Sequence, residues 1–500
     1  MLANKCGQID AGKRAPVIIK RAIGIFCQAF WESLSWGRVQ LEALSDEGIA
    51  KGGEQAKDAG NPHRNSGFFL PALNRHMMLS PRWFFAGLKS RIEFMKLQTI
   101  ETHIVKTPPP GFGGRYFIFV ILQTSCGIRG YGEIYAASFA PETVAIMAAD
   151  MFGRYLEDQN PFEIERFWRR AHGSGFSHRP DPTVQGVASG LEMACWDIIG
   201  KALDRPVYDL LGGKVNDRLR SYTYLYPRAD QDAASFYNDA SASAEAAAAY
   251  VKEGFTAVKF DPAGPYTVFD GRQPDLETLG QCEDFCRNIR AAVGDRADLL
   301  FGTHGQFTPA GAIRLAKRLE SFDPLWFEEP TPPDMPEAMA KVAKATRIPV
   351  ATGERLCSKY EFSRVLDCGA AAILQPNLGR AGGILEGKKI AAIAEPYYAQ
   401  IAPHLYCGPV VAAANIQLAA SIPNFLILES IQKMDGFHAD LLKTPLCWED
   451  GYIIPPTAPG LGIELDMDVV AQNPWDGNRL HLEMGQNPYD PVRDGPFAGG

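Results

Sequence analysis

Between Leu325 and His404 four successive apolar runs each end in a polar group: Leu-Trp-Phe-Glu328, Pro-Val-Ala-Thr-Gly-Glu354, Ala-Ile-Leu-Gln-Pro-Asn377 and Ala-Gln-Ile-Ala-Pro-His404. Strands that served packing alone would end in apolar residues. Acids, an amide and a histidine at successive strand ends describe instead the mouth of a (β/α)8 barrel. There the loops after the strands carry chemistry while the layered interior is committed to packing. The surrounding chain supplies the eight strands this requires: Leu219 to Leu225, Thr256 to Phe260, Asp298 to Gly302, Leu325 to Phe327, Val350 to Gly353, Ala372 to Leu374, Tyr398 to Ala402 and Phe425 to Leu428. Segments between them, such as Pro309 to Glu320 and Gly382 to Ala394, repeat apolar residues at three and four spacing, as helices in βα units do.

The 500 residues, 46% hydrophobic and 22% charged, are enough for this barrel and a second unit. Lys96 to Lys106 and Tyr116 to Thr124 read as strands, and Gly127 to Gly132 as a turn into Glu133. Pro141 to Tyr155 begins a helical part, and Thr183 to Leu203 reads as an amphipathic helix with Leu191, Ala194, Cys195 and Ile198 on one stripe. Gly460 to Leu465 is expected as a further strand that returns to this first unit. The expected division is an extension of low order over 1–94, an α+β capping unit over 95–218, the barrel over 219–455 and a returning segment over 456–500.

A net charge of −8 with no Lys/Arg cluster excludes a nucleic-acid surface. The longest apolar stretch, Val17 to Phe30, is interrupted by Lys20 and Arg21, so no membrane span is expected. A soluble, cytoplasmic protein without a signal peptide is the expectation. The ten cysteines are scattered. Cys282 and Cys286 have one-turn helical spacing, and no second pair completes a zinc quartet, so they read as reduced core residues.

Several polar residues at the strand ends can carry chemistry. Glu328 and Glu354, on adjacent strands, suit a hard divalent cation such as Mg2+. Lys259 can bind a carboxylate or act as a base, and Asp261, two residues on, shares its face. His304 and His404 end the third and seventh strands and titrate near neutrality. Glu429, on the eighth, can position a developing oxyanion.

The stretch from Met95 to about Trp475 resembles the mandelate racemase/muconate lactonizing enzyme branch of the enolase superfamily, and within it the galactonate dehydratase-like sugar-acid dehydratases. The motifs are Gly-Leu-Glu-Met-Ala-Cys-Trp-Asp-Ile-Ile-Gly-Lys (190–201), Phe-Glu-Glu-Pro (327–330), Thr-Gly-Glu-Arg-Leu (352–356), Gln-Pro-Asn (375–377), Ala-Gly-Gly-Ile (381–384), Ala-Pro-His (402–404) and Pro-Gly-Leu-Gly-Ile-Glu (459–464). The resemblance implies a cap built from both chain ends over the barrel, Mg2+ at the strand ends, and abstraction of the proton beside a substrate carboxylate to give an enediolate. It makes Glu328 and Glu354 metal ligands, His404 the base, His304 the acid that protonates a departing 3-hydroxyl, Lys259 the first lysine of a Lys-x-Lys pattern, and Glu429 the eighth-strand acid. It also implies a multimer of identical chains.

Two positions depart from the pattern. Gly302 stands where the third metal-binding aspartate is expected. Asp261 is the candidate to replace it, with His304 as the competing ligand that would favour Mn2+ or Zn2+. Asn377 stands where an aspartate would pair with His404, which leaves open an exchange of roles between the histidines. The expected function is metal-dependent dehydration of a sugar acid to a 2-keto-3-deoxy acid. The alternatives are a racemase or epimerase of a hydroxy acid and a binding protein with a decayed site. Specificity is expected from the loops over 107–115 and 173–183, with His178 or Arg179 meeting substrate.

Overall fold

The computed structural model describes residues 94–490, apart from 137–139, 175, 177, 229 and 478–483. Of the expected N-terminal extension, residues 1–93 lie outside the described residues.

The first unit is an antiparallel sheet of β1 (Leu97–Lys106), β2 (Tyr116–Thr124) and β3 (Arg129–Ile134), in that order. Three helices follow: α1 (Pro141–Tyr155), α2 (Ile164–Gly173) and α3 (Pro182–Leu203). The reading of residues 127–132 as a turn is corrected here, because the reversal is shorter and Arg129 already starts β3. Its glycines allow close approach to a helix. A Cβ on Gly132 would lie 1.9 Å from the Gly190 carbonyl, and one on Gly130 would lie 2.2 Å from that of Ala194, so β3 lies directly on α3. Asp181 caps α3 by accepting from the Thr183 and Val184 amides, with Pro182 in the first turn. The expected single stripe is wider than the sequence suggested: this helix lies between β3 and the barrel and is buried on most sides, Glu192 and Asp197 included.

Eight parallel strands form the barrel: β4 (Leu219–Tyr224), β5 (Ala257–Phe260), β6 (Asp298–Gly302), β7 (Trp326–Glu328), β8 (Val350–Thr352), β9 (Ile373–Leu374), β10 (Gln400–Ile401) and β11 (Leu428–Ser430). It closes through residues 425–430. Phe425 bridges to Ile401, and Leu428, Glu429 and Ser430 pair with Ser221, Tyr222 and Thr223 of β4. A hairpin of β12 (Cys447–Glu449) and β13 (Tyr452–Ile454) extends the sheet antiparallel to β4. It was not read from the sequence, although its Asp-Gly turn is a hairpin signal. The expected strand over 460–465 does not form. Gly460 and Leu465 make single bridges to Pro206 and Leu442, and Gly460 (φ +74°) lies where a Cβ would be 2.1 Å from the Asp197 carboxylate. Beyond it, Asn473 and Trp475 hydrogen-bond to Lys106 and Ile104 of β1.

Buried carboxylates of the first unit cap groups in the barrel. Glu192 accepts from the amides of Ile384 and Leu385 at a helix start, and Glu133 from those of Gly408, Val410 and Val411. Asp197 accepts from Leu461 and Tyr131 and pairs with Lys201. Each charge lies where a helix N-terminus or orphan amide favours it. Within the 190–201 motif, Glu192 therefore joins the first unit to the barrel, and Asp197 joins it to the returning segment at Leu461. Cys282 and Cys286 are free and buried on the helix Leu276–Val293. No helix among the described residues is long and apolar enough to cross a membrane.

Gly132→Ala should therefore force β3 from α3 and cost about 1–3 kcal/mol, the range for overpacking. Urea unfolding would measure it, and an unchanged midpoint would contradict the close-approach argument.

Candidate active site at the barrel mouth

The floor of the site is a plug to which each strand or its flank gives one residue: Tyr222, Ala257, Leu300, Trp326, Ala351, Ile373, Ala402 and Ile427. Side chains two residues apart on a strand share a face. The next layer upward is therefore Tyr224, Lys259, Gly302, Glu328, Gly353, Gln375, His404 and Glu429. One step further on β5 and β6 come Asp261 and His304. Most of the polar residues singled out in the sequence thus fall into two consecutive layers over one apolar floor.

Lys259 lies at the centre, 2% exposed, with Nζ 2.6 Å from Glu328 Oε1 and 3.5 Å from Glu429 Oε1. Burial alone would lower its pKa, but Glu328 and Glu429 outweigh that and hold it well above the ordinary lysine value. The other oxygen of Glu328 accepts from the Gln375 amide at 2.8 Å. Removing one partner of such a buried pair costs about 3–5 kcal/mol, because the remaining charge is stranded. Burial raises the Glu429 carboxyl, and Lys259 only partly opposes this.

Asp261, expected as the third metal ligand, is turned elsewhere. Its Oδ2 lies 2.6 Å from His304 Nδ1, and its Oδ1 accepts from the Ala263 amide. His304 has φ +45°, an uncommon conformation for a residue with a side chain, which brings the ring over Asp261. Burial works against the imidazolium, yet the charge of Glu354 and the Asp261 bond prevail and raise the pKa to about 9. With Nδ1–H fixed on a carboxylate, Nε2 is the nitrogen that exchanges protons.

His404, expected as the base, is held in the opposite way. Asn377 Oδ1 accepts from the Gly379 amide, so its Nδ2 faces His404 Nδ1 at 2.9 Å and donates to it. The neutral ring then carries its proton on Nε2, 3.2 Å from Glu354 Oε2. Burial, partly opposed by Glu354, pushes its pKa down to about 4. An aspartate at 377 would accept from Nδ1 and free Nε2 as a base; the amide does the reverse. Burial would raise the Glu354 carboxyl, but the histidines and Lys259 hold it below the usual carboxylate range. Apart from the His404 ring, its buried Oε2 meets no hydrogen-bond donor.

The sequence reading missed the aromatic rim. Tyr222, Tyr224 and Tyr226 alternate along β4 and its end, a spacing that puts all three on one face. Phe112, from the loop over 107–115, lies on Tyr226 with ring centroids 4.2 Å apart, and Tyr266 covers His304 at 4.5 Å. Arg380 was also missed. It stacks on Tyr135 at 4.1 Å and reaches the Glu354 carbonyl at 3.5 Å. His178, expected to meet substrate, is placed against His172 of α2.

These residues do not fit the three-carboxylate cation site that the resemblance implies. Glu328 is engaged through both oxygens, Asp261 faces His304, and position 302 offers no donor. Among the described residues no three His, Cys, Asp or Glu side chains are placed to hold a metal.

Comparison with known proteins identifies relatives. Residues 102–212 match the mandelate racemase/muconate lactonizing enzyme N-terminal domain, and 242–469 the enolase C-terminal domain-like family. The chain is 34% identical over 387 residues to D-galactonate dehydratase of Ralstonia nicotianae, covering 76% of this chain and 94% of that protein. It is 34% identical to D-xylonate dehydratase of Haloferax volcanii, covering 74% and 88%. A crystal structure of a candidate mandelate racemase/muconate lactonizing enzyme from Labrenzia alexandrii DFL-11 superimposes with TM-score 0.77 at 64% identity, covering 79% of this chain and all of that one.

The raised pKa of His304 has a thermodynamic sign. Its folded value of about 9 exceeds the unfolded value near 6.5, so its contribution to stability is full below the lower value and is lost as pH rises through the upper one. Asp261→Asn should move the His304 titration, followed by NMR of the ring protons, down from about 9. An unmoved titration would contradict the pairing.

Proposed function

The chain belongs to the mandelate racemase/muconate lactonizing enzyme family, and we propose that it dehydrates a sugar acid to a 2-keto-3-deoxy acid with His304 as the proton-handling residue. The observation that carries this reading is the Asp261–His304 pair above a buried, carboxylate-bound lysine. Relatives named as dehydratases of galactonate, xylonate and gluconate support the reaction class.

His304 Nε2 takes the proton from C2, and the electron pair moves into the substrate carboxylate to form an enediolate. Lys259, held between Glu328 and Glu429, faces the added charge. The carboxylate re-forms as that pair of electrons makes a C2=C3 double bond and the 3-hydroxyl is expelled. That group leaves as water with the proton His304 has just gained, and the enol becomes the 2-keto acid. One histidine thus serves as base and then as acid. His404 stays neutral and donates from Nε2 to Glu354 or to the enediolate, and Asn377 is the positioning residue that keeps it so.

Epimerisation needs a second base across the substrate. His404 lies across the barrel just beyond the end of β10, but its Nδ1 is filled by Asn377 and its Nε2 carries a proton, so the dehydration reading is favoured.

A library of mono- and diacid sugars, with 2-keto acids detected as semicarbazones, should give a hit. The kcat/KM of that substrate should rise with pH and level near 9, because only neutral His304 accepts the C2 proton. His304→Ala should lower kcat by about 10²- to 10⁴-fold, the usual contribution of a general base. A profile that instead falls above 9 would make His304 an acid only and place the base elsewhere.

A further inference from the structure

Enzymes of the enolase superfamily generally use a divalent metal. We propose that in this chain the Lys259 ammonium takes that cation's place, and that the site works without a bound metal.

Lys259 and position 302 belong to the same layer of neighbouring strands, β5 and β6, so whatever stands at one limits the other. A Cβ at Gly302 would lie 3.6 Å from Lys259 Cε and 3.7 Å from Asp261 Cβ, in ordinary contact with both. Position 302 itself therefore offers no oxygen beside the lysine.

The remaining donors are committed as well. Glu328 gives one oxygen to Lys259 and the other to Gln375. Asp261 can turn toward the centre only by leaving His304. That leaves Glu354, a single carboxylate whose Oε2 already faces the His404 ring at 3.2 Å. A buried ammonium between two carboxylates supplies fixed positive charge beside the reacting anion and needs no hydration shell to be shed. A metal would have to displace it against both ion pairs. The inference rests on the dehydration reading only for the identity of the anion that Lys259 faces.

The test is Mn2+ binding by the full chain after stripping with EDTA, followed by the EPR signal of free Mn2+, with Lys259→Met alongside. The wild type should show no saturable site tighter than roughly millimolar, at the weak end of the affinity scale. Lys259→Met, checked for folding by circular dichroism, should bind at least about tenfold tighter, because Glu328, Glu354 and Glu429 are then left without their cation. One tight Mn2+ per wild-type chain that is lost in Glu354→Gln would overturn the proposal, and so would a folded Lys259→Met that binds no better than wild type. Should the methionine variant not fold, the wild-type titration decides alone. None of these readouts needs a substrate, so a sugar-acid library without a hit would sink the dehydration reading and leave this one standing.

Discussion

The Lys259–Glu328 pair is the constraint around which the barrel mouth is arranged. A lysine buried to 2% persists only with opposite charge in contact, and here Glu328 and Glu429 reach it from β7 and β11. Beside it, Gly302 offers no charged group. The charge of the lysine in turn helps hold Glu354 ionised and, with burial, keeps His404 neutral. The ionisation of the centre thus follows from one residue on the second barrel strand.

Around that centre the two histidines differ through their partners. A carboxylate behind His304 favours the charged ring, and an amide behind His404 favours a fixed neutral tautomer. The amide at 377 and the aspartate at 261 together leave the two histidines with opposite shifts, His404 down and His304 up. The capping unit matters because it sets the loops over this chemistry. Glu133 caps the helix that starts just after the His404 loop, and Glu192 the helix after β9, so the buried acids of the first unit fix the segments carrying His404 and Asn377.

The barrel was legible because its strands are short apolar runs ending in polar groups, and alternation at a period of two then fixes which side chains face inward. The residues at 259, 328, 404 and 429 needed nothing more. Partnership was not legible. Whether Asp261 serves a metal or His304 depends on a φ of +45° at His304 that no local pattern announces. Gly130 and Gly132 misled because a glycine that admits a helix and one that makes a turn look alike in sequence. The strand expected at 460–465 failed for the related reason that Gly460 serves to approach Asp197. The tyrosine alternation on β4 was present to be read, whereas Arg380 is a lone loop cation with no such signal.

The account stands or falls on how the site holds an enediolate. The most direct measurement is a crystal structure with a sugar hydroxamate, a stable analogue of that intermediate, grown in Mg2+. The account predicts a hydroxamate oxygen on Lys259 Nζ and His304 Nε2 facing the carbon that stands for C2. A hydroxamate chelating a metal between Glu328 and Glu354, with His404 Nε2 at that carbon, would contradict it.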